Sequence, residues 1–328
     1  MKWQGLLAVC GLVVATQAPA AEAAKNDVDQ DGRSDLLIRR IAPHCTPDDE
    51  FEHNNAHVVW GVRPGSTNLG FESLYDFDSM GWKVAASGDF NADGLADLYW
   101  ELMEEVAGSP FHETVRVDAK AALTAGEPVI YEAPDGPPGD GVPPASWFVV
   151  GSGDFVGSDS TAEVVTTPDG SADLVWQDTA TGAMALWASD GGSFPHRLRF
   201  ALPSAEVGGT AVAVGDLNGD TLQEIVFSSP SGDLSYWSME GLTRVATGDI
   251  EPKRPVDTRW KVGGAGDFNR DAADDLVFLH TETYRVVVWY MNDRVTGQRL
   301  DGGWAELAGP GAPDPNSRCN SWAIAGPR

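Results

Sequence analysis

Short apolar runs recur along the chain, each closed off by Gly, Pro, Asn, Asp or Ser. Asp35 to Arg40, His57 to Val62, Phe71 to Phe77 and Trp82 to Ala86 show the pattern. Runs this short, rich in β-branched and aromatic residues, fit strands better than helices. The 37 glycines and 21 prolines spread through the chain suit many turns. The expected fold class is all-β.

One segment repeats. A strand ending in Gly leads into an Asp-rich stretch and then into a second apolar strand. Trp82 to Gly88 leads into Asp89-Phe90-Asn91-Ala92-Asp93-Gly94-Leu95-Ala96-Asp97, and Trp260 to Gly266 leads into Asp267-Phe268-Asn269-Arg270-Asp271. Thr210 to Gly215 leads into Asp216-Leu217-Asn218-Gly219-Asp220. Asp27-Val28-Asp29-Gln30-Asp31-Gly32 opens the series, and Asp154-Phe155-Val156 is a copy in which the pattern stops early. The first Asp of each copy stands at 27, 89, 154, 216 and 267. That period is too long for solenoid repeats and matches a four-stranded propeller blade. Five blades are expected.

Trp322-Ala323-Ile324-Ala325-Gly326 repeats the strand that precedes each Asp-rich loop, but no loop follows it. The loop at Asp27 has no such strand before it. A ring whose C-terminal strand pairs with its N-terminal strand explains both facts and removes exposed sheet edges.

The loops read D-x-[DN]-x-D-x-x-x-[DE], with oxygen donors at the first, third, fifth and ninth positions and a main-chain carbonyl at the seventh. The candidate metal residues are Asp27, Asp29, Asp31, Arg33 and Asp35, then Asp89, Asn91, Asp93, Leu95 and Asp97. The later copies add Asp216, Asn218, Asp220, Leu222 and Glu224, then Asp267, Asn269, Asp271, Ala273 and Asp275. Hard, flexible, all-oxygen coordination is what Ca2+ takes. An EF-hand is excluded because its twelfth-position Glu is replaced by Ile38 and Trp100. The competing reading is a set of ordinary polar turns, since Asp, Asn and Gly favour turns in any case. It gains weight where Thr221 and Ala272 replace the turn glycine. The third loop is expected to bind nothing: Val156 removes a ligand, and one residue too many separates Asp154 from Glu163.

With Gly88 to Gly94, Gly266 to Asn269, and the strand pair from Asp173 to Gly182 running on to Trp187, the chain resembles the FG-GAP/VCBS repeat family. Those repeats form integrin-alpha-like propellers. The resemblance implies a propeller with calcium in the hairpin between the first two strands of a blade. The family usually shows seven blades, whereas five are counted here.

The remaining features bear on location and partners. Lys2, the apolar run from Leu6 to Ala15 and Ala18-Pro19-Ala20 read as an export leader over residues 1–20, leaving 21–328 as one propeller domain. A lipoprotein reading through Cys10 competes weakly, because Val9 is bulky where a small residue is wanted. A secreted, periplasmic or cell-surface location follows, and with it a disulfide between Cys45 and Cys319. No run is long enough to span a membrane. The net charge of −27 argues against nucleic acid and anionic membrane as partners. His53 and His57 could ligate a transition metal, though a solvated loop explains them as well. Pro134 to Pro144 reads as an exposed loop of the kind that carries binding on a rigid scaffold, or equally as a passive linker. The recurrent tryptophans read as packing between blades rather than as a sugar platform. No nucleophile elbow, zinc-protease motif or P-loop is present. The expectation is a non-catalytic binding or adhesion module for an extracellular glycan or protein. A hydrolase or lyase acting on polysaccharide is the alternative, and a purely structural surface module the third reading.

Overall fold

The computed structural model describes residues 25–27, 32–41, 56–59, 71–75, 82–106, 109–118, 130–133, 146–161, 163–189, 199–205, 209–291, 303–307 and 321–326. Residues 1–20, where an export leader is expected, Asp29, Asp31, all three cysteines, His53, Trp60 and the 134–144 stretch lie outside these residues. Among the described residues there is no helix, so none crosses a membrane as one.

The strands form five four-stranded antiparallel sheets. The first begins with β1 (Leu36–Ile41), β2 (Ala56–Val59) and β3 (Phe71–Tyr75). The second is β4 (Trp82–Gly88), β5 (Asp97–Val106), β6 (Ser109–Asp118) and β7 (Ile130–Ala133). The third is β8 (Trp147–Gly153), β9 (Asp173–Asp178), β10 (Met184–Trp187) and β11 (Arg199–Leu202). The fourth is β12 (Thr210–Gly215), β13 (Gln223–Ser228), β14 (Leu234–Glu240) and β15 (Thr243–Asp249). The fifth is β16 (Trp260–Gly266), β17 (Asp275–His280), β18 (Val286–Trp289) and β19 (Trp304–Leu307). Finally β20 (Ser321–Gly326) pairs with β1 and completes the first sheet from the far end of the chain, as the isolated Trp322 strand predicts.

The opening strands share one irregularity. Ala85, Val150, Val212 and Gly263 each stand as the extra residue in the ladders β4–β5, β8–β9, β12–β13 and β16–β17. Ala325 does the same in β20–β1. Such bulges bend a strand and increase its twist. The repeated bulge makes β20 equivalent to β4, β8, β12 and β16.

The opening strands also lie side by side: β4 against β8, β8 against β12, β12 against β16, β16 against β20, and β20 against β4. Neighbouring sheets therefore cover both faces of the strand next to them. Such strands read as continuous apolar runs rather than as alternation. Leu98-Tyr99-Trp100, Leu174-Val175-Trp176, Ile225-Val226-Phe227 and Leu276-Val277-Phe278 are all buried. The core is a series of clusters between sheets. Phe90, Tyr99, Trp176 and Trp187 join the second and third, and Phe155, Val175, Ile225 and Trp237 the third and fourth. Leu217, Val226, Phe278 and Trp289 join the fourth and fifth, and Phe268, Val277, Leu36 and Ile324 the fifth and first. Trp187, Trp237 and Trp289 are at most 8% exposed, which fits packing between sheets. Trp304 instead stands 60% exposed on β19.

Candidate metal-binding loops

The Asp-rich loops of the second to fifth sheets join the first two strands of their sheet, the first loop leads into β1 with no strand before it among the described residues, and each is built by its own side chains. The first-position Asp organises the turn. Asp89 Oδ1 accepts from Asp93 N at 3.1 Å and Oδ2 from Gly94 N at 2.7 Å. Asp216 does the same with Asp220 N (3.1 Å) and Thr221 N (2.7 Å), and Asp267 with Asp271 N (3.3 Å) and Ala272 N (3.0 Å). In the first loop Asp27 Oδ2 accepts from Gly32 N at 2.7 Å. The third-position Asn then accepts from the fifth N–H: Asn91 Oδ1 from Asp93, Asn218 from Asp220, and Asn269 from Asp271. The fifth-position Asp accepts from the seventh N–H at Leu95, Leu222 and Ala273.

Positive φ is required at two points of the turn. Ala92 and Gly94, Gly219 and Thr221, and Arg270 and Ala272 all take it. Thr221 (φ 74°) and Ala272 (φ 64°) thus adopt the glycine conformation without being glycine. The loss of Gly in the fourth and fifth loops has not changed the turn.

The ninth-position carboxylate turns inward. Asp97, Glu224 and Asp275 are fully buried, and each accepts from the second-position N–H: Phe90 at 3.2 Å, Leu217 at 2.9 Å and Phe268 at 3.1 Å. The second-position side chains, Phe90, Leu217 and Phe268, are at most 1% exposed and anchor the loops in the core. Asp275 Oδ1 also accepts from Met291 N just beyond β18. Glu224 Oε1 is buried and makes no hydrogen bond.

The loops are acid-rich and partly dry. Burial raises Asp89, Asp216 and Asp267 from their ordinary value, and the fifth-position Asp of the same loop adds to the effect. Burial pushes Glu224 up to about 8, with Asp216 and Asp220 reinforcing it; the hydrogen bonds from Leu217 N and the Ser238 hydroxyl oppose the rise. Burial likewise pushes Asp275 up to about 9, helped by Asp271 and Asp267. Between the fifth and first loops two arginines approach: Arg33 Nη1 donates to Phe268 O at 3.3 Å, and a Cβ added at Gly32 would lie 3.4 Å from Arg270 Nε.

The third loop carries its ninth position further along the chain than the spacing to Glu163 suggests. Val156 is fully buried in the core, and Glu163 is exposed and does not occupy the ninth position. That position belongs to Asp173, whose Oδ2 accepts from Phe155 N at 2.9 Å and Val156 N at 3.0 Å, and whose Oδ1 accepts from Ser189 N at 2.8 Å. Asp154 Oδ2 accepts from Gly170 N at 2.6 Å, and Asp169 Oδ1 from Ser171 N at 3.1 Å, as Asp89 and Asp93 do for Gly94 and Leu95. Gly170 has φ 97°. The pattern is therefore interrupted rather than lost: Asp154, Asp169, Gly170 and Asp173 keep their places around an insertion. Asp173 carried a detectable signal, because Asp-Leu-Val-Trp opens β9 as Asp-Leu-Tyr-Trp opens β5.

Adjacent loops are tied by main chain. Ala172 N donates to Asp89 O at 2.7 Å, Asp274 N to Asp216 O at 2.6 Å, and Ser34 N to Asp267 O at 2.7 Å. In each pair an eighth-position N–H meets the first-position carbonyl of the loop before it.

The predicted ligands of the second, fourth and fifth loops therefore share one short turn each, while Asp29 and Asp31 of the first lie outside the described residues. Among the described residues no group of three or more His, Cys, Asp or Glu side chains forms a ready-made metal cage. The carboxylates are turned onto their own backbone N–H groups. No protein-family model matches the chain, and no curated protein matches it.

Proposed function

We propose that the five sheets are the blades of a closed propeller, that the Asp-rich loops take up calcium, and that the scaffold serves as an exported, non-catalytic binding module. Its partner would be an extracellular glycan or protein surface. The β20–β1 pairing, the shared bulge and the side-by-side opening strands support the ring.

The observation that carries the calcium reading is Glu224. A buried carboxylate with one oxygen lacking any hydrogen bond, close enough to Asp216 and Asp220 to be raised by both, is costly without a cation. Asp216, Asn218, Asp220 and Glu224, with the main-chain carbonyl of Leu222, would hold it. The matching donors are Asp89, Asn91, Asp93, Asp97 and the Leu95 carbonyl in the second loop, and Asp267, Asn269, Asp271, Asp275 and the Ala273 carbonyl in the fifth. All are hard oxygens, the set calcium prefers. Bound calcium would neutralise crowded carboxylates and stiffen the turns. The resemblance to FG-GAP/VCBS repeats and the export leader point the same way.

At about 1 mM free calcium and a dissociation constant near 0.1 mM, each site adds about 1.4 kcal/mol. Thermal melting with and without a chelator tests this. A lower midpoint in the chelator is expected, and Glu224→Gln should remove part of the difference; an unchanged midpoint means the loops are only turns. A glycan array run beside a hydrolase and lyase screen tests the module reading, and turnover in the screen would replace it with an enzyme.

A further inference from the structure

We propose that β8 and β12 form a receptor for a primary ammonium group, and that the chain fills it with its own Lys25. Lys25 Nζ donates to Ser152 O and, at 2.6 Å, to Val214 O. These residues lie 127 and 189 positions further along the chain, on two different sheets. Ser152 and Val214 are each the next-to-last residue of their strand. At the same place in β4 stands Ser87, whose carbonyl accepts the Ser152 hydroxyl at 2.7 Å. The carbonyls at this level of three neighbouring opening strands are thus satisfied in a row, one by a hydroxyl and two by the ammonium.

The chemistry explains why the donor is a lysine. Each of these strands is hydrogen-bonded within its sheet on one side only, so carbonyls on its other edge need donors from elsewhere. An ammonium offers three donors and no acceptor, and charge assistance strengthens each bond. It is also compact enough to sit between two strands, unlike the planar guanidinium fork.

The backbone before β1 aims it. Asn26 is 1% exposed and has φ 62°, a conformation Asn tolerates better than most residues. Asn26 Nδ2 donates to Asp35 O at 2.5 Å, and Asp35 N donates to Asn26 O at 2.9 Å. This double clamp fixes Asn26 beside the start of β1 and turns Lys25 toward the third and fourth sheets. The ammonium therefore ties the first described residues of the chain to strands in its middle, independently of any metal in the loops.

Amine-reactive labelling of the native protein, read by peptide mapping, tests the seat directly. Lys25 should react at least about tenfold more slowly than the exposed Lys261. Lys25→Ala should lower the melting midpoint by about 4 °C or more. n-Propylammonium, which restores the missing methylenes and ammonium, should recover part of that loss. Tetramethylammonium at equal ionic strength has no N–H donor and should not. Equal labelling of Lys25 and Lys261, an unchanged midpoint in Lys25→Ala, or equal effects of the two ammonium salts would each overturn the proposal. If Lys25→Ala does not accumulate, labelling of the unmodified protein decides alone.

Discussion

Replacing Gly263 by Ala probes the place where the two ends of the sheet series meet. Gly263 is the extra residue of the β16 bulge, and its missing side chain faces β20. An added Cβ would run into Ile324, closest to Cδ1, with the Ile324 Cβ at 2.7 Å and Cγ2 at 2.9 Å. Real Cβ atoms do not approach so closely, and Ile324 is 5% exposed within a packed cluster, so it has little room to retreat. Overpacking of this kind costs about 1–3 kcal/mol. For a domain of this size that lowers the melting midpoint by about 2–6 °C. Ile324→Ala alone should cost about 2–4 kcal/mol through the cavity it leaves. Combined, the two changes should be less harmful than their sum by at least about 1 kcal/mol, because the shortened residue 324 makes room for the new methyl. Urea titration of the four proteins measures the cycle. Strict additivity would show that β20 does not lie against β16, and the closed ring would lose its main support.

Three further outcomes are expected. Thr221→Gly and Ala272→Gly should each stabilise by about 0.5–1 kcal/mol, since a left-handed penalty of about 1–2 kcal/mol outweighs the extra freedom of glycine when unfolded; a lower midpoint in both would argue against the turn. Asp173→Asn should cost about 3 kcal/mol, because an amide cannot accept all three N–H groups that Asp173 now satisfies, while Glu163→Gln should stay within about 0.5 kcal/mol. Cys45 and Cys319 lie beyond the paired ends Ile41 and Ser321 of β1 and β20, and non-reducing peptide mapping should find them joined, a link worth about 5 kcal/mol in the loop-entropy model; free thiols at both positions in exported protein would end that expectation.

What the sequence reveals of this molecule depends on whether the signal is local. The strands were legible because those sandwiched between sheets read as unbroken apolar runs, and Trp322 was legible as a fifth opening strand because it stands in the same short phrase as Trp82 and Trp260. The bulge three residues beyond Trp82, Trp147, Trp260 and Trp322 was not, since Ala85, Val150, Gly263 and Ala325 do not stand out from the small apolar residues around them. The missing glycine of the fourth and fifth loops does not alter the turn, because the hydrogen bonds of Asp216 and Asp267 hold Thr221 and Ala272 in the glycine conformation.

The third loop shows where reading by spacing fails. Counting forward from Asp154 reaches Glu163, an acid near the expected place, and stops there. Counting back from the strand would have reached Asp173, because the ninth-position residue is fixed by what it does rather than by its distance from the first. It must sit at the head of the second strand, accept the second-position N–H and be buried, and only Asp173 satisfies all three in this sheet. The main chain supplies an independent check: Ala172 N reaches Asp89 O as Asp274 N reaches Asp216 O, which numbers Ala172 as the eighth position without reference to any side chain. An insertion between the third and fifth positions is tolerated because that part of the turn faces outward, while both ends are held by buried groups. Lys25 escaped the sequence reading for the same reason in reverse. Its partners are main-chain carbonyls of Ser152 and Val214, which carry no side-chain signature and become neighbours only when the sheets assemble.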